Sequence, residues 1–457
     1  MFIDFVFNLN SSEIFFFSIL FIICLLDLVK NYKDKKWFNF FKPTTLYGSL
    51  VIFYCLVGPI ITSGQQDGSI SYRGVDHREF YEIGLLGALF SYLSFQFGFN
   101  YKKKFFKIKK FGINKLKDYQ LQTKDYLFIH KWGERIFLFA LFMQFINYGP
   151  SLISRLLNLY TSGNILNTQG YGGVASAFFS YTGNFLIFGV VLLFVGILNG
   201  IKERTKFIIY LAMAVGLYVS LGFRYRLLLL FLPLALIYFF YKKIRPSFTL
   251  LLSLILSTML IFGFIQLSRN YGAGLDYNLF SRRFSKTDES VLGFILKSAT
   301  FDTNVFHTSA GIIYKTPEEI NYSGIKPILN TMALPIPRTL WRNKPKGEYL
   351  INAYRAIYDG YLWEVGAAHL GYAEYYLAGG WLALITVNFF IGLFFKKLWY
   401  EFLLNFNDPI AQVKYSLYLS FLFIVFTRGY LLQITFLYFT VFIPFHFFSN
   451  VWNKRYR

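Results

Sequence analysis

The chain reads as an all-α polytopic membrane protein, and three observations carry that reading. Of its 457 residues 55% are hydrophobic, 22% aromatic and only 15% charged, with a mean hydropathy of +0.43. That leaves too little polar surface to cover the apolar mass of a water-soluble fold. Apolar runs of roughly 17 to 25 residues recur, each long enough to cross about 30 Å of hydrocarbon as a helix. Lysines and arginines gather in short clusters between those runs, where the positive-inside rule expects them. The formal charge of +22 is therefore a topological signal rather than the footprint of a nucleic-acid partner.

Spans are expected near residues 12–29, 44–63, 80–99, 135–150, 175–198, 207–222, 226–241, 248–267, 372–395, 414–430 and 432–448, about eleven in all. The first run follows Asp4 and Glu13 rather than a basic segment, so it reads as a retained helix and not a cleaved signal. Between alternate spans lie "KNYKDKKWFNFFK", "YKKKFFKIKKFGINKLK", "KERTK", "YKKIRP", "KKLWYEF" and "NKRYR", all on one side if the spans alternate. That side is expected to be the cytoplasm, which puts the amino terminus outside and the carboxyl terminus inside. The organisation expected is membrane helices over residues 1–268, a large external loop over 269–371, and further membrane helices with a cytoplasmic tail over 372–457.

The external loop balances acidic against basic residues and is punctuated by Gly, Pro, Asn and Thr. Two short amphipathic helices are expected in it. One is "TPEEINY", with Thr316 as a cap, Pro317 in the first turn, and Glu318 and Glu319 at the positive end of the dipole. The other is "SVLGFILKSA", with Val291, Leu292, Ile295 and Ala299 on one face. A structured loop of roughly 100 residues between spans tends to carry function. The working site is expected here, at the external face.

Positive charge is disfavoured at the outer ends of membrane helices, so arginines there point to a task. Arg224 and Arg226 stand in "GFRYR", Arg428 in "FTRGY", and Arg282, Arg283, Arg338 and Arg342 in the external loop. The guanidinium stays protonated and its planar fork matches phosphate oxygens two at a time. The partner so implied is an anionic lipid head group, a phosphate or diphosphate. The plainer alternative is pairing with carboxylates or rest among lipid heads, and it is the better reading of Arg282 and Arg283. Glu374, just inside the apolar boundary, either pairs with an arginine or deprotonates an attacking hydroxyl. Of the five histidines none shows metal-ligand spacing; His307 and His369 lie externally and can act as acid or base, although a lone histidine is more often a plain polar contact. External aromatics such as Tyr372, Tyr375, Tyr376, Trp341 and Trp363 either pack or stack on sugar rings. Cys24 and Cys55 lie inside apolar runs and imply no disulfide framework. No glycine-rich phosphate loop is present, so a soluble nucleotide substrate is not expected.

Taken together, "GFRYRLLLLFLPLALIYFF", the stretch "LPIPRTLWRNKPKG", "LGYAEYYLAGGWLALITVNFFIGLFF" and "FLFIVFTRGYLLQ" resemble the Wzy-type O-antigen and oligosaccharide repeat-unit polymerases of bacterial inner membranes. The likeness covers residues 220 to 435; the amino-terminal half agrees only in its hydropathy. The resemblance implies a GT-C-like fold and a glycosyltransferase that polymerises oligosaccharide units linked to undecaprenyl diphosphate, at the periplasmic face. It implies diphosphate contacts from Arg224, Arg338 and Arg428, supported by Arg226 and Arg342, with Glu374 or His369 as the base. No metal or other cofactor is implied. The partners would be the lipid-linked oligosaccharide, the bilayer and a chain-length regulator protein, with no nucleic acid. An O-antigen ligase is an alternative with the same donor. A transporter or flippase for lipid-linked sugars is a second, from another class, although no internal repeat is visible and the charges sit at the boundary rather than the midplane.

Overall fold

Apolar residues make the helices of this chain, and the few polar groups buried between them fix how they pack. The structure, a computed structural model, describes residues 9–63, 71–72, 75–102, 121–149, 152, 181–220, 224–270, 274–275, 277–285, 290–333, 336, 341, 343, 348–358 and 368–455. The helices, in order, are α1 (Ser11–Lys33), α2 (Pro43–Val51), α3 (Gly58–Ser63), α4 (Arg78–Asn100), α5 (Thr123–Tyr148), α6 (Phe185–Leu198), α7 (Arg204–Ser220), α8 (Arg224–Lys242) and α9 (Phe248–Ser268). They continue with α10 (Tyr277–Phe284), α11 (Val291–Ala299), α12 (Val305–Lys315), α13 (Lys326–Ala333), α14 (Glu348–Tyr358), α15 (Gly371–Leu404), α16 (Pro409–Thr427) and α17 (Leu431–Arg455). A π-helical segment, Ile52–Val57, links α2 to α3. Two short antiparallel hairpins accompany them, β1 (Ser71–Tyr72) with β2 (Val75–Asp76), and β3 (Arg269–Asn270) with β4 (Gly274–Leu275).

Among the described residues, eight helices are long and apolar enough to cross a membrane: α1, the run Pro43–Ile61, α4, α8, α9, α15, α16 and α17. The chain is a multi-pass helical membrane protein. The other spans expected from sequence coincide with α5, α6 and α7. α5 has 26 residues but carries Lys124, Asp125, Lys131, Glu134 and Arg135 in its first half. α6 is fully apolar but only 14 residues long, and α7 has 17. "SVLGFILKSA" forms α11 as expected. "TPEEINY" does not start a helix: the Thr316 hydroxyl donates to the Ile312 carbonyl at 2.7 Å, so it closes α12 instead of capping a new helix.

Two compact units divide the chain. The first comprises Met1–Lys107, Thr300–Tyr400 and Leu422–Thr435. In it α4 packs against α1, α2 and α12, and α12 against α14. Tyr47 is its polar hub. Its ring stacks on Phe95 at 4.2 Å, and its hydroxyl lies 2.5 Å from Ser91 Oγ and donates to Asn388 Oδ1 at 3.0 Å, joining α2, α4 and α15 in the interior. α15 is broken at Gly379 and Gly380; Gly380 has φ 65°, a left-handed conformation that glycine adopts without the Cβ clash. The break frees carbonyls, and the Leu377 carbonyl accepts from both the Ser323 backbone N–H (2.7 Å) and its hydroxyl (3.2 Å).

The second unit comprises Ile108–Ala299, Glu401–Phe421 and Phe436–Arg457. α6 packs on α5, α7 and α8, and α9 on α10 and α11. Asn184 Nδ2 donates to Thr440 Oγ1 at 2.8 Å, and Tyr218 Oη to the Gly183 carbonyl at 2.8 Å. Arg283 donates to the Gln266 and Leu267 carbonyls (3.1 and 2.7 Å) at the end of α9, where a cation suits the negative end of the dipole. These contacts of Arg283 are with backbone carbonyls, where the sequence favoured a carboxylate partner or lipid head groups.

The hub predicts a specific stability pattern. Tyr47→Phe keeps the stacking but strips a donor from buried Asn388, and should lower unfolding stability in detergent by about 1–3 kcal/mol. Adding Asn388→Leu should recover part of that loss, because the stranded acceptor is then gone. An unchanged melting curve for Tyr47→Phe would contradict the role given to the hydroxyl.

Candidate functional site

Within the first unit the structure brings together His369, Glu374 and Arg428. α16 ends at Thr427, Arg428–Gly429–Tyr430 makes the turn, and α17 begins at Leu431. This turn is gripped from two sides. Glu374, in the first turn of α15, accepts the Leu431 N–H on Oε2 at 2.8 Å and so caps α17 from another helix. Its other oxygen accepts the Tyr349 hydroxyl at 2.7 Å. His369 faces the turn from before α15. Its backbone carbonyl accepts the Gly429 N–H at 2.8 Å, and its Nε2–H donates to the Gly429 carbonyl, also at 2.8 Å. That bond fixes the tautomer, so Nδ1 is the acceptor for the Tyr354 hydroxyl at 2.7 Å.

The "TRG" sequence has a physical explanation here. The imidazole of His369 lies so close to Gly429 that a Cβ at 429 would collide with its ring. Leu370 is fixed as well, its N–H donating to Ser309 Oγ on α12 at 2.8 Å. Both bracing tyrosines come from α14, the helix that follows the "LPIPRTLWRNKPKG" stretch in the chain.

This geometry gives both candidate bases a structural role. His369 and Glu374 are buried, at 1% and 2% exposure. A general base needs a lone pair open to the substrate, and both ring nitrogens of His369 are engaged. Burial depresses the His369 imidazole from 6.5 to about 4, with the Gly429 carbonyl acting in the opposite direction. Burial and the neighbouring Glu374 carboxylate raise the Tyr349 hydroxyl, which therefore stays protonated as a donor. Glu374 and His369 both hold the backbone of the Arg428 turn. His307 sits elsewhere in the unit with its ring 5.4 Å from that of His77, its imidazole held well below the usual value by burial first and by His77 second.

Arg224 and Arg226 belong to the second unit. Both lie in the first turn of α8 and both are buried, at 6% and 2% exposure. The neighbours of Arg226 include the hydroxyls of Tyr225, to which it is hydrogen-bonded, Tyr218 and Tyr148. Arg428 is half-buried. Arg338 and Arg342 lie outside the described residues, as does Trp363. Of the aromatics offered for sugar stacking, Tyr372 and Tyr376 are buried, Tyr372 against Phe426, while Trp341 is exposed. Among the described residues no group of three or more His, Cys, Asp or Glu side chains is arranged to hold a metal ion.

Sequence reading missed Tyr349, Tyr354 and Ser309. The tyrosines stand in "EYLINAYRAIY", where an amphipathic pattern accounts for them as packing; only the fold brings them to Glu374 and His369. No protein-family model, curated protein or solved structure matches the chain.

The brace predicts an acid sensitivity of definite sign. The folded imidazole of His369 takes a proton near pH 4 and the unfolded one near 6.5. The unfolded state therefore binds more protons in between, and stability present above pH 6.5 is lost as pH falls towards 4, by about 3 kcal/mol. His369→Gln should flatten that slope. Denaturation midpoints of both proteins across this range are the measurement, and parallel curves would contradict the brace.

Proposed function

We propose that the protein is a lipid-diphosphate-linked glycosyltransferase, a polymerase of oligosaccharide repeat units at the periplasmic face of the bacterial inner membrane. The observation that carries this reading is the burial of Arg224 and Arg226 in the first turn of α8. Cations are disfavoured at the positive end of a helix, and burying a guanidinium among apolar helices is costly. Such an arrangement is favourable for an anion, which meets the guanidinium forks and the helix N-terminus together. The tyrosine hydroxyls around Arg226 help to solvate the charge between substrates. The braced Arg428 turn supports the same reading, since a cation held in place costs little to reorganise as charge develops.

In the reaction, the terminal sugar hydroxyl of one lipid-linked unit attacks the anomeric carbon of the glycan on another. The new C–O bond forms as the bond to diphosphate breaks, and undecaprenyl diphosphate departs with the electron pair. The hydroxyl proton leaves with the diphosphate or to water, and neither a nucleotide nor a metal takes part. Arg224, Arg226 and Arg428, with Arg338 and Arg342 from the proline-rich stretch, are assigned to the growing negative charge. The finer architecture belongs to the same proposal: about eleven spans in a GT-C-like arrangement, amino terminus outside and carboxyl terminus inside. Basic last turns on α1 (Lys30, Lys33), α8 (Lys242) and α17 (Lys454, Arg455) support that orientation.

Purified protein given short undecaprenyl-diphosphate-linked units should yield a ladder of longer glycans. Arg428→Ala and Arg226→Lys should each slow it by about 100-fold or more while melting as folded protein. Full activity in both variants would sink the diphosphate assignment. Transfer of finished chains to a lipid A core, without a ladder, would identify a ligase instead.

A further inference from the structure

α13 is built inside out. Pro327, Asn330 and Ala333 turn into the first unit, whereas Ile325, Ile328, Leu329 and Met332, spaced i, i+3, i+4 and i+7, face outwards. Ile325 is 66% and Met332 71% exposed. Exposed Trp341 follows in the chain, and Lys326 opens the helix. In water this would be the wrong way round, because the large aliphatic side chains gain most from burial.

The start of α13 is tied to the break in α15. Ser323, just before α13, donates its N–H to the Leu377 carbonyl at the α15 break. Tyr322, also before α13 and exposed, is hydrogen-bonded to Tyr376 and packs against Gly380. Past the break, α15 turns Leu382, 78% exposed, together with Ile385 and Phe390, away from the protein, the surface expected of a helix bathed in acyl chains. The apolar face of α13 thus begins where the lipid-exposed face of a span begins.

We propose that α13 is an interfacial helix that beds its Ile325–Met332 face among the acyl chains of the leaflet on the side of the α15 break. A helix of this kind lies in the membrane plane with its apolar face at the boundary between head groups and chains, with tryptophan and lysine at head-group level. The consequence is positional. The end of α13, at Ala333, then lies at the level of the lipid head groups and not out in water. This inference does not rest on the glycosyl-transfer reading; it holds for any function of the membrane-embedded chain.

The test uses full-length protein in vesicles of phosphatidylethanolamine and phosphatidylglycerol, free of polyprenyl lipid. Cys24 and Cys55 are buried, so an environment-sensitive fluorophore on Met332→Cys reports from its own position. Leu382→Cys serves as the lipid-exposed reference. Glu319→Cys serves as the aqueous one, since Glu319 is exposed and pairs with Lys315 at 2.8 Å. Lipid carrying a nitroxide near the head of its acyl chain should quench the Met332 label about twofold or more, as for Leu382, and leave the Glu319 label nearly unchanged. The proposal is overturned if the Met332 label follows the Glu319 label and is quenched by aqueous iodide instead. Label-to-label energy transfer that rises with protein density, with no lipid quenching, would equally overturn it by showing a second copy on the face. Ile328→Cys, on the same side of α13, repeats the test should Met332→Cys fail to fold.

Discussion

Charge and hydrogen-bonding capacity taken out of water must be matched inside the protein, and in a chain with so few polar residues that constraint organises everything else. Several of the polar groups described above are matched by partners that tie one segment of the chain to another. Tyr47 joins three helices through one hydroxyl. Ser323 satisfies the carbonyl released where α15 breaks. Arg283 closes the end of α9. Apolar packing supplies most of the cohesion and little of the specificity, because lipid tails are as apolar as leucine.

The same constraint shapes the candidate site. A carboxylate and an imidazole buried beside a turn are costly in isolation, yet here each is fully engaged, one oxygen or nitrogen towards α14 and the other towards the 429–431 backbone. The result is a stiff connection from α14, through Tyr349 and Tyr354, to the turn that carries Arg428. α14 is also the helix that follows the proline-rich stretch in the sequence. Arg224 and Arg226 are buried at the head of α8, Arg226 among tyrosine hydroxyls.

Much of this was legible in the sequence, for reasons that differ by element. The long apolar helices α1, α4, α8, α9, α15, α16 and α17 follow from hydropathy alone, because only a helix satisfies its own backbone in hydrocarbon. Arg224, Arg226, Arg428 and Glu374 stood out because charge is rare at the ends of such runs. What the sequence did not reveal is pairing between distant residues: Glu374 reads equally well as a base or as the partner of an arginine until Tyr349 and Leu431 are seen at its oxygens. His369 likewise reads as an acid, a base or a plain polar contact until Tyr354 and Gly429 are seen at its nitrogens. Thr316 was expected to open a helix and instead closes α12, since nothing local says which carbonyl or amide its hydroxyl will meet. The break at Gly379–Gly380 was legible only as a pair of glycines in an apolar run.

The central claim is that the protein holds buried cationic residues for a lipid diphosphate, and direct binding tests it without assuming any turnover. Purified protein in detergent would be titrated with undecaprenyl diphosphate and, separately, with undecaprenyl monophosphate, following the melting temperature. The account predicts a concentration-dependent rise with the diphosphate, a smaller one with the monophosphate, and loss of the difference in Arg226→Lys, since the fork that grips two oxygens at once is gone. Equal rises for both lipids in the native protein, unchanged in the variant, would contradict it.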